Sequence, residues 1–277
     1  MIMPPDFRFS QSSLQDYLDC SYRFRMRHIE RQAWPAVEAE PPEAMESQMR
    51  SGEAFHRVIH RHLAGMPAEK LSLLVEKDPL RRWWKAYLQT GLRDLPPMHY
   101  PEITLATHIA GKWLIAKYDL IAVEPGRRAV IVDWKTSRQP QRVRLAQSMQ
   151  TTVYRYILSV TGAHLNNNVP LQPEQIEMRY WFAETPDQPE RLFYDSAQQQ
   201  LDGDTLSALI KSIIESKPDD FPRTDNTVHC QFCVYRSLCA RGVSAGDFAA
   251  YADGDPAERE SEWNAAVDFD QVAEIEF

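Results

Sequence analysis

Two aspartates and one lysine interrupt the apolar, β-branched stretch 113–135, WLIAKYDLIAVEPGRRAVIVDWK: Asp119, Asp133 and Lys135. Pro125-Gly126-Arg127 is a turn signal between the two runs, so the stretch is expected to fold as a β-hairpin. With the turn centred on Gly126, residues whose numbers sum to about 252 face each other, which sets Asp119 opposite Asp133 with Cβ atoms roughly 5 Å apart. Alternation puts Lys135 on the same face as Asp133. Two carboxylates that close repel unless a positive charge lies between them. A hard divalent cation such as Mg²⁺, held by one or two carboxylates plus a substrate phosphate, suits that spot. Lys135 is then placed to orient a water or to neutralise charge on the phosphate. A structural Asp–Lys pair across the hairpin is the alternative, because ion-pair networks mimic active sites.

Other elements must position this constellation. Ser12 or Ser13 is a candidate N-cap for a helix carrying Leu14, Tyr17 and Leu18, followed by Arg23, Phe24, Arg25, Arg27, His28 and Arg31. That mixture suits phosphate contacts or a solvated helix face with aromatic anchors. Residues 34–43, rich in Pro, Ala and Glu, read as a flexible connection. A helix is expected over residues 44–63, with His56 and His60 at i, i+4, a spacing able to hold a metal; Arg57 stands where a zinc protease has glutamate. Residues 70–89 read as a further helix interrupted at Pro79, with Trp83 and Trp84 as core residues. Residues 101–110 alternate as a strand and would complete a three-stranded meander with the hairpin. A long helix is expected from about residue 141 to 160, carrying Gln147, Gln150 and Tyr154 on one polar stripe. Its start is basic, Arg138, Arg142 and Arg144, where helix N–H groups and guanidinium groups both favour phosphate. Residues 176–183 form a strand able to pair beside the one ending at Lys135, and 197–216 a helix.

The chain has 277 residues, 43% of them hydrophobic, enough for one large core or two modest ones. No apolar run approaches the roughly 20 residues of a membrane span, and the N-terminus shows no signal-peptide pattern, so a cytoplasmic protein without membrane partners is expected. Residues 245–277 hold ten acids against one arginine, a net −9, so residues 1–244 carry +1 of the chain's −8. We therefore expect one folded body, 1–244, and an acidic tail, 245–277. The tail is also aromatic, so it is either a solvated extension or a mimic of DNA phosphates lying along Arg138, Arg142 and Arg144.

Four cysteines remain: Cys20, and then Cys230, Cys233 and Cys239 spaced C-x2-C-x5-C. Clustered thiols in a cytosolic chain point to metal rather than disulfides, with unrelated buried thiols as the alternative. Four thiolates hold a tetrahedral Zn²⁺ or a [4Fe–4S] cluster. Cys20 would have to return from the far end of the chain, clasping first and last parts together.

Taken together, these residues resemble the PD-(D/E)XK nuclease superfamily in its RecB-like branch. They look like the CRISPR-associated RecB-like exonucleases and the iron–sulfur nuclease domains of bacterial recombination enzymes. The match runs through Gly52–His56, Asp119, Asp133-Trp134-Lys135, Gln150 to Tyr154, and the split cysteines, in that family's order over residues 9–240. Ala116 stands where the family often has glycine, and Glu102 fits an acid some members carry upstream. The resemblance implies a restriction-endonuclease-like α/β core, a mixed central sheet flanked by helices, with a helical N-terminal part and a C-terminal cysteine segment. It implies Mg²⁺- or Mn²⁺-dependent hydrolysis of DNA, with His56, Asp119, Asp133 and the Trp134 carbonyl holding the ion. Lys135 would position water, and Gln150 and Tyr154 would hold DNA or brace Lys135. Single-stranded ends are the expected substrate, in repair or CRISPR adaptation and beside proteins of those pathways. A catalytically idle DNA-binding iron–sulfur subunit is the rival, and the intact Asp119, Asp133 and Lys135 speak against it. No G-x-x-x-x-G-K-[ST] occurs, so the chain has no P-loop motor of its own.

Overall fold

A computed structural model describes residues 3–4, 6–32, 43–136, 142–231 and 233–243. The connection at 34–42, Arg138 and the acidic tail lie outside the described residues.

The chain opens with a two-residue strand β1 (Arg8–Phe9) and helix α1 (Gln11–Asp19). The N-cap is Ser10, in a reciprocal capping box with Ser13, rather than Ser12 or Ser13. Next come α2 (Ser21–Phe24), which runs on in a wide turn over Arg25–Ile29, and the long α3 (Glu43–Leu63). The helix expected over 70–89 is two pieces, α4 (Ala68–Ser72) and α5 (Leu80–Ala86), the second starting directly after Pro79. Six strands follow with one helix pair among them: β2 (Met98–Pro101), β3 (Thr104–Ile109), β4 (Lys112–Lys117), β5 (Leu120–Glu124), β6 (Arg128–Lys135), α6 (Arg142–Gln147), α7 (Met149–Thr161) and β7 (Ile176–Phe182). Strand β8 (Glu190–Phe193), α8 (Ser196–Glu215) and the short α9 (Arg236–Cys239) complete it. The single helix expected at 141–160 is broken at Ser148, whose hydroxyl accepts from the Thr151 N–H and caps α7.

Two mixed sheets result, ordered β1-β4-β3 and β2-β5-β6-β7-β8. The β5–β6 hairpin has the expected register, from Glu124↔Arg128 to Leu120↔Val132, around Gly126 at φ 79. The meander does not form. The apolar run from Trp113 to Glu124 changes sheets at Tyr118-Asp119, so β3 and β4 pair in the small sheet while β5 joins the large one. Strand β7 pairs with β6 in parallel, Asp133 beside Tyr180 and Lys135 beside Phe182.

Strand β6 is covered on both faces, and its apolar run reflects that. Val130, Val132 and Trp134 pack under α3 and α5, with Phe55, Trp83, Trp84 and Tyr87. Ala129 and Ile131 face the other core, with Val153 and Ile157 of α7 and Leu206 and Ile210 of α8. Alternation therefore delivers Asp133 and Lys135 to the α7 face, at the carboxyl end of the central strand. Among the described residues, no helix is long and apolar enough to cross a membrane.

Candidate nuclease site

Where the β5 ladder ends at Leu120, the next inward N–H of β6 belongs to Trp134 and has no strand partner. The Asp119 carboxylate takes it, Oδ2 accepting at 3.1 Å. Asp119 sits on the bend between the sheets rather than inside a strand. Its backbone is held from the other side, the Glu102 N–H donating to the Asp119 carbonyl at 3.1 Å. Glu102 adopts φ 52, a left-handed conformation uncommon for a side-chain-bearing residue, and pairs with Lys117 at 2.8 Å.

His56 reaches the same spot from α3, its Nδ1 lying 3.4 Å from Asp119 Oδ2. Gly52, one turn earlier, lets α3 approach: a Cβ there would stand 3.3 Å from Thr136 Oγ1, just past the end of β6. Burial by itself lowers the imidazole pKa, but the Asp119 carboxylate, its hydrogen bond and Asp133 behind it outweigh that and hold it at about 9. Burial likewise opposes ionisation of Asp119, and the charge of His56 with the His56 and Trp134 hydrogen bonds keeps its pKa below the ordinary value.

Asp133 and Lys135 are both buried and form an ion pair, Nζ to Oδ2 2.9 Å. Gln150, on the first turn of α7, bridges them: its Nε2 donates to Asp133 Oδ1 at 2.7 Å, and its Oε1 accepts from Lys135 Nζ at 3.2 Å. Tyr154, one turn on, stacks obliquely on Tyr118 with centroids 4.7 Å apart. Burial and then the Asp133 charge push the Tyr154 phenol far above its usual range, so it stays neutral. Below Lys135 lies Tyr180, whose ring centroid is 5.9 Å from Nζ and whose hydroxyl shares a 2.7 Å hydrogen bond with Thr151. Neither periodicity nor a motif points to this support. Its only sequence signal is the β6–β7 pairing, which sets Tyr180 beside Asp133.

The structure thus brings His56, Asp119, Asp133, Trp134, Lys135, Gln150 and Tyr154 together at one end of the large sheet. His60 stays outside it, exposed on α3, so the His56–His60 metal spacing is unused. Gln147 is also exposed, on α6. Arg142 is tied to Glu190 at 2.7 Å, and Arg144 is exposed. Among the described residues, no three His, Cys, Asp or Glu side chains stand together closely enough to hold an ion.

The four cysteines are joined by no disulfide and line one cavity with Arg23, Arg223, His229 and Arg236. Burial pushes the Cys233 thiol up to about 11, against the opposing pull of Arg23, and raises Cys239 as well. The N-terminal arginine–aromatic mixture is neither a phosphate site nor a solvated face at its centre. Arg23 bonds Asp16 and Asp19 at 2.8 and 2.7 Å, and Arg27 and His28 meet Asp16 at 3.3 and 2.9 Å, all around a fully buried Asp16. First and last parts of the fold meet here without the cysteines too. Phe24 stacks on Phe221 with centroids 6.2 Å apart, and Ser21 donates to the Pro222 carbonyl at 2.8 Å.

No curated relative matches the sequence. Among solved structures, a supposed exonuclease from Eubacterium rectale superposes with a TM-score of 0.51 at 9% identity, covering 89% of this chain and 93% of its own. The crystal structure of SSO0001 gives a TM-score of 0.43 at 15% identity, covering 88% and 90%. The first likeness is one of fold. The model of the PD-(D/E)XK nuclease superfamily matches residues 8–240, most of the chain and the span in which the constellation above lies. The chain belongs to the PD-(D/E)XK nuclease superfamily.

Proposed function

We propose that this chain is a Mg²⁺- or Mn²⁺-dependent DNA nuclease of the RecB-like branch that acts on single-stranded ends, in repair or CRISPR adaptation. The observation that carries the proposal is the Asp133–Gln150–Lys135 bridge beside the Asp119 carboxylate, two acids and one ammonium at one sheet end. The exonuclease assignment of the Eubacterium rectale protein is in keeping with it.

The donor chemistry fits a hard ion. Two carboxylates and a main-chain carbonyl at one sheet end are the oxygen donors Mg²⁺ takes from protein, its remaining positions going to water and phosphate. Asp119, Asp133, the Trp134 carbonyl and a deprotonated His56 would hold it once its charge draws them closer than they stand in the metal-free site. When bound, such an ion supplies Lewis-acid polarisation of the phosphate and acidification of water. Lys135, fixed by Asp133 and Gln150, positions the attacking water and offsets charge developing on the phosphate. Gln150 keeps acid and base at one separation, and the neutral Tyr154 phenol braces it from behind.

The four thiols would hold a [4Fe–4S] cluster, with Zn²⁺ as the alternative. They share one cavity, and four thiolates brought together there are a complete ligand set for either. We further assign residues 1–244 to one nuclease body and 245–277 to an acidic tail.

Release of nucleotides from end-labelled single-stranded DNA with Mg²⁺ or Mn²⁺, wild type against Lys135→Ala, tests the function. Cleavage by wild type alone is the expected result. Equal release by both proteins, or by neither, would reject it.

A further inference from the structure

The small sheet turns one face to solvent, and that face leads to the candidate site. Along β4 the even residues Leu114 and Ala116, and Tyr118 after them, are buried in the core. The odd residues Trp113, Ile115 and Lys117 point the other way, and Asp119 follows Lys117 by two residues, on the bend where the chain leaves this sheet. Six residue steps separate Trp113 from Asp119, about 20 Å of extended chain.

The far end of this face is aromatic and cationic. Trp113 pairs in register with Arg8 on β1 and His108 on β3, so the three side chains form one row. The Trp113 and His108 rings meet edge to face with centroids 3.7 Å apart, and Trp113 is 46% exposed. Arg8 and His108 are exposed, and Arg8 has no ion-pair partner among the described residues. Many other exposed arginines are neutralised, Arg82 by Glu184, Arg93 by Asp187 and Arg142 by Glu190. The next row is Ile115 with Ala106, half-buried, and the last is Lys117 with Thr104, both exposed, one residue short of the bend at Asp119.

We infer that this outward face is the track along which single-stranded DNA reaches the site, a base stacking on Trp113 and a phosphate meeting Arg8. The inference rests on the nuclease reading and adds the route of the substrate. Every base has a face that stacks on an indole, and only an unpaired base can offer it, so the platform selects single strands without selecting sequence. The apolar middle row suits sugar and base edges, and the 20 Å span, on the estimate above, leaves room for a few nucleotides before the scissile phosphate.

The test is fluorescence anisotropy of a labelled twelve-nucleotide oligothymidine with the full chain in EDTA, across a salt series. Trp113→Ala should weaken binding roughly 5- to 150-fold, the fold-change that corresponds to one base–aromatic stack, and Trp113→Phe should retain most of the affinity. Arg8→Gln should flatten the slope of log affinity against log salt by about 0.7, one phosphate contact on a single strand. Phe193→Ala, at a still more open aromatic in the large sheet, at the end away from the candidate site, should bind as wild type does. If Trp113→Ala matches wild type while wild type binds and, with Mn²⁺, cleaves, the track is overturned and the nuclease reading stands; the exposed indole then serves some other partner. Equal weakening by Phe193→Ala also overturns it. If wild type neither binds nor cleaves, the nuclease reading fails and the track fails with it.

Discussion

Replacing Lys135 by methionine separates its electrostatic work from its volume. In the metal-free protein the ammonium is the near counter-charge of Asp133, and both side chains are only 7% exposed. Removing one partner of a buried ion pair costs about 3–5 kcal/mol, because the other charge is left desolvated and uncompensated. The Gln150 amide still donates to Asp133, so the lower figure, about 3 kcal/mol, applies. For a body of this size that is a fall in melting temperature of about 6–12 °C. A divalent ion should reverse the effect, since it replaces the lost positive charge and no longer meets the ammonium beside the same carboxylate. Mn²⁺ at a hundred times its dissociation constant returns about 2.7 kcal/mol, most of the deficit. Lys135→Met should therefore melt early without metal, be rescued by Mn²⁺ more than wild type is stabilised, and cleave no DNA. Calorimetric melting with and without Mn²⁺, alongside the cleavage assay, measures all three. A metal-free melting temperature equal to wild type would refute the buried-pair reasoning, and cleavage by the variant would remove Lys135 from the chemistry.

Four further outcomes follow from the geometry. His56 carries a proton below about pH 9, so a metal that takes its nitrogen must expel that proton; Mn²⁺ affinity should rise from pH 7 to 9 with about one proton released, and calorimetry in buffers of different ionisation enthalpy counts it. A count of zero would mean that His56 is not a ligand. Asp119→Ala should abolish cleavage and weaken Mn²⁺ binding while leaving the circular dichroism spectrum unchanged, and an active purified variant would contradict the site. Asp16 has its carboxyl pKa held below the ordinary carboxylate value, burial being outweighed by Arg23, His28 and Arg27. Its contribution is complete above the unfolded value near 4 and lost as pH falls through the folded one; Asp16→Asn should cost about 3–5 kcal/mol at pH 7 in urea unfolding and less at pH 3. Protein purified without oxygen should be brown with about four irons per chain, and Cys20→Ser should lower iron content and stability without detaching the two chain ends, which Phe24, Phe221 and Ser21 also join. Stoichiometric zinc instead would select the other metal.

What the sequence determined by itself is local and periodic. The turn at Gly126 and the alternation on either side predict the β5–β6 register, and with it the meeting of Asp119 with the D-W-K end of β6, because a two-fold repeat and a tight turn leave little choice of pairing. The Gln150–Tyr154 spacing puts both side chains on one helix face in the same way. Tertiary structure decided the matters on which periodicity is silent. Alternation states which residues share a face, but not which strand lies alongside, so the strand-like run from Trp113 to Glu124, without a Gly or Pro to mark a break, concealed the change of sheet at Tyr118-Asp119 that frees the Asp119 carboxylate to cap Trp134. Composition likewise shows that Arg23, Arg27 and His28 are cationic or titratable. That they surround a buried Asp16 is settled by which helix packs over them, since a charge is drawn to its partner only as strongly as burial removes the water between them.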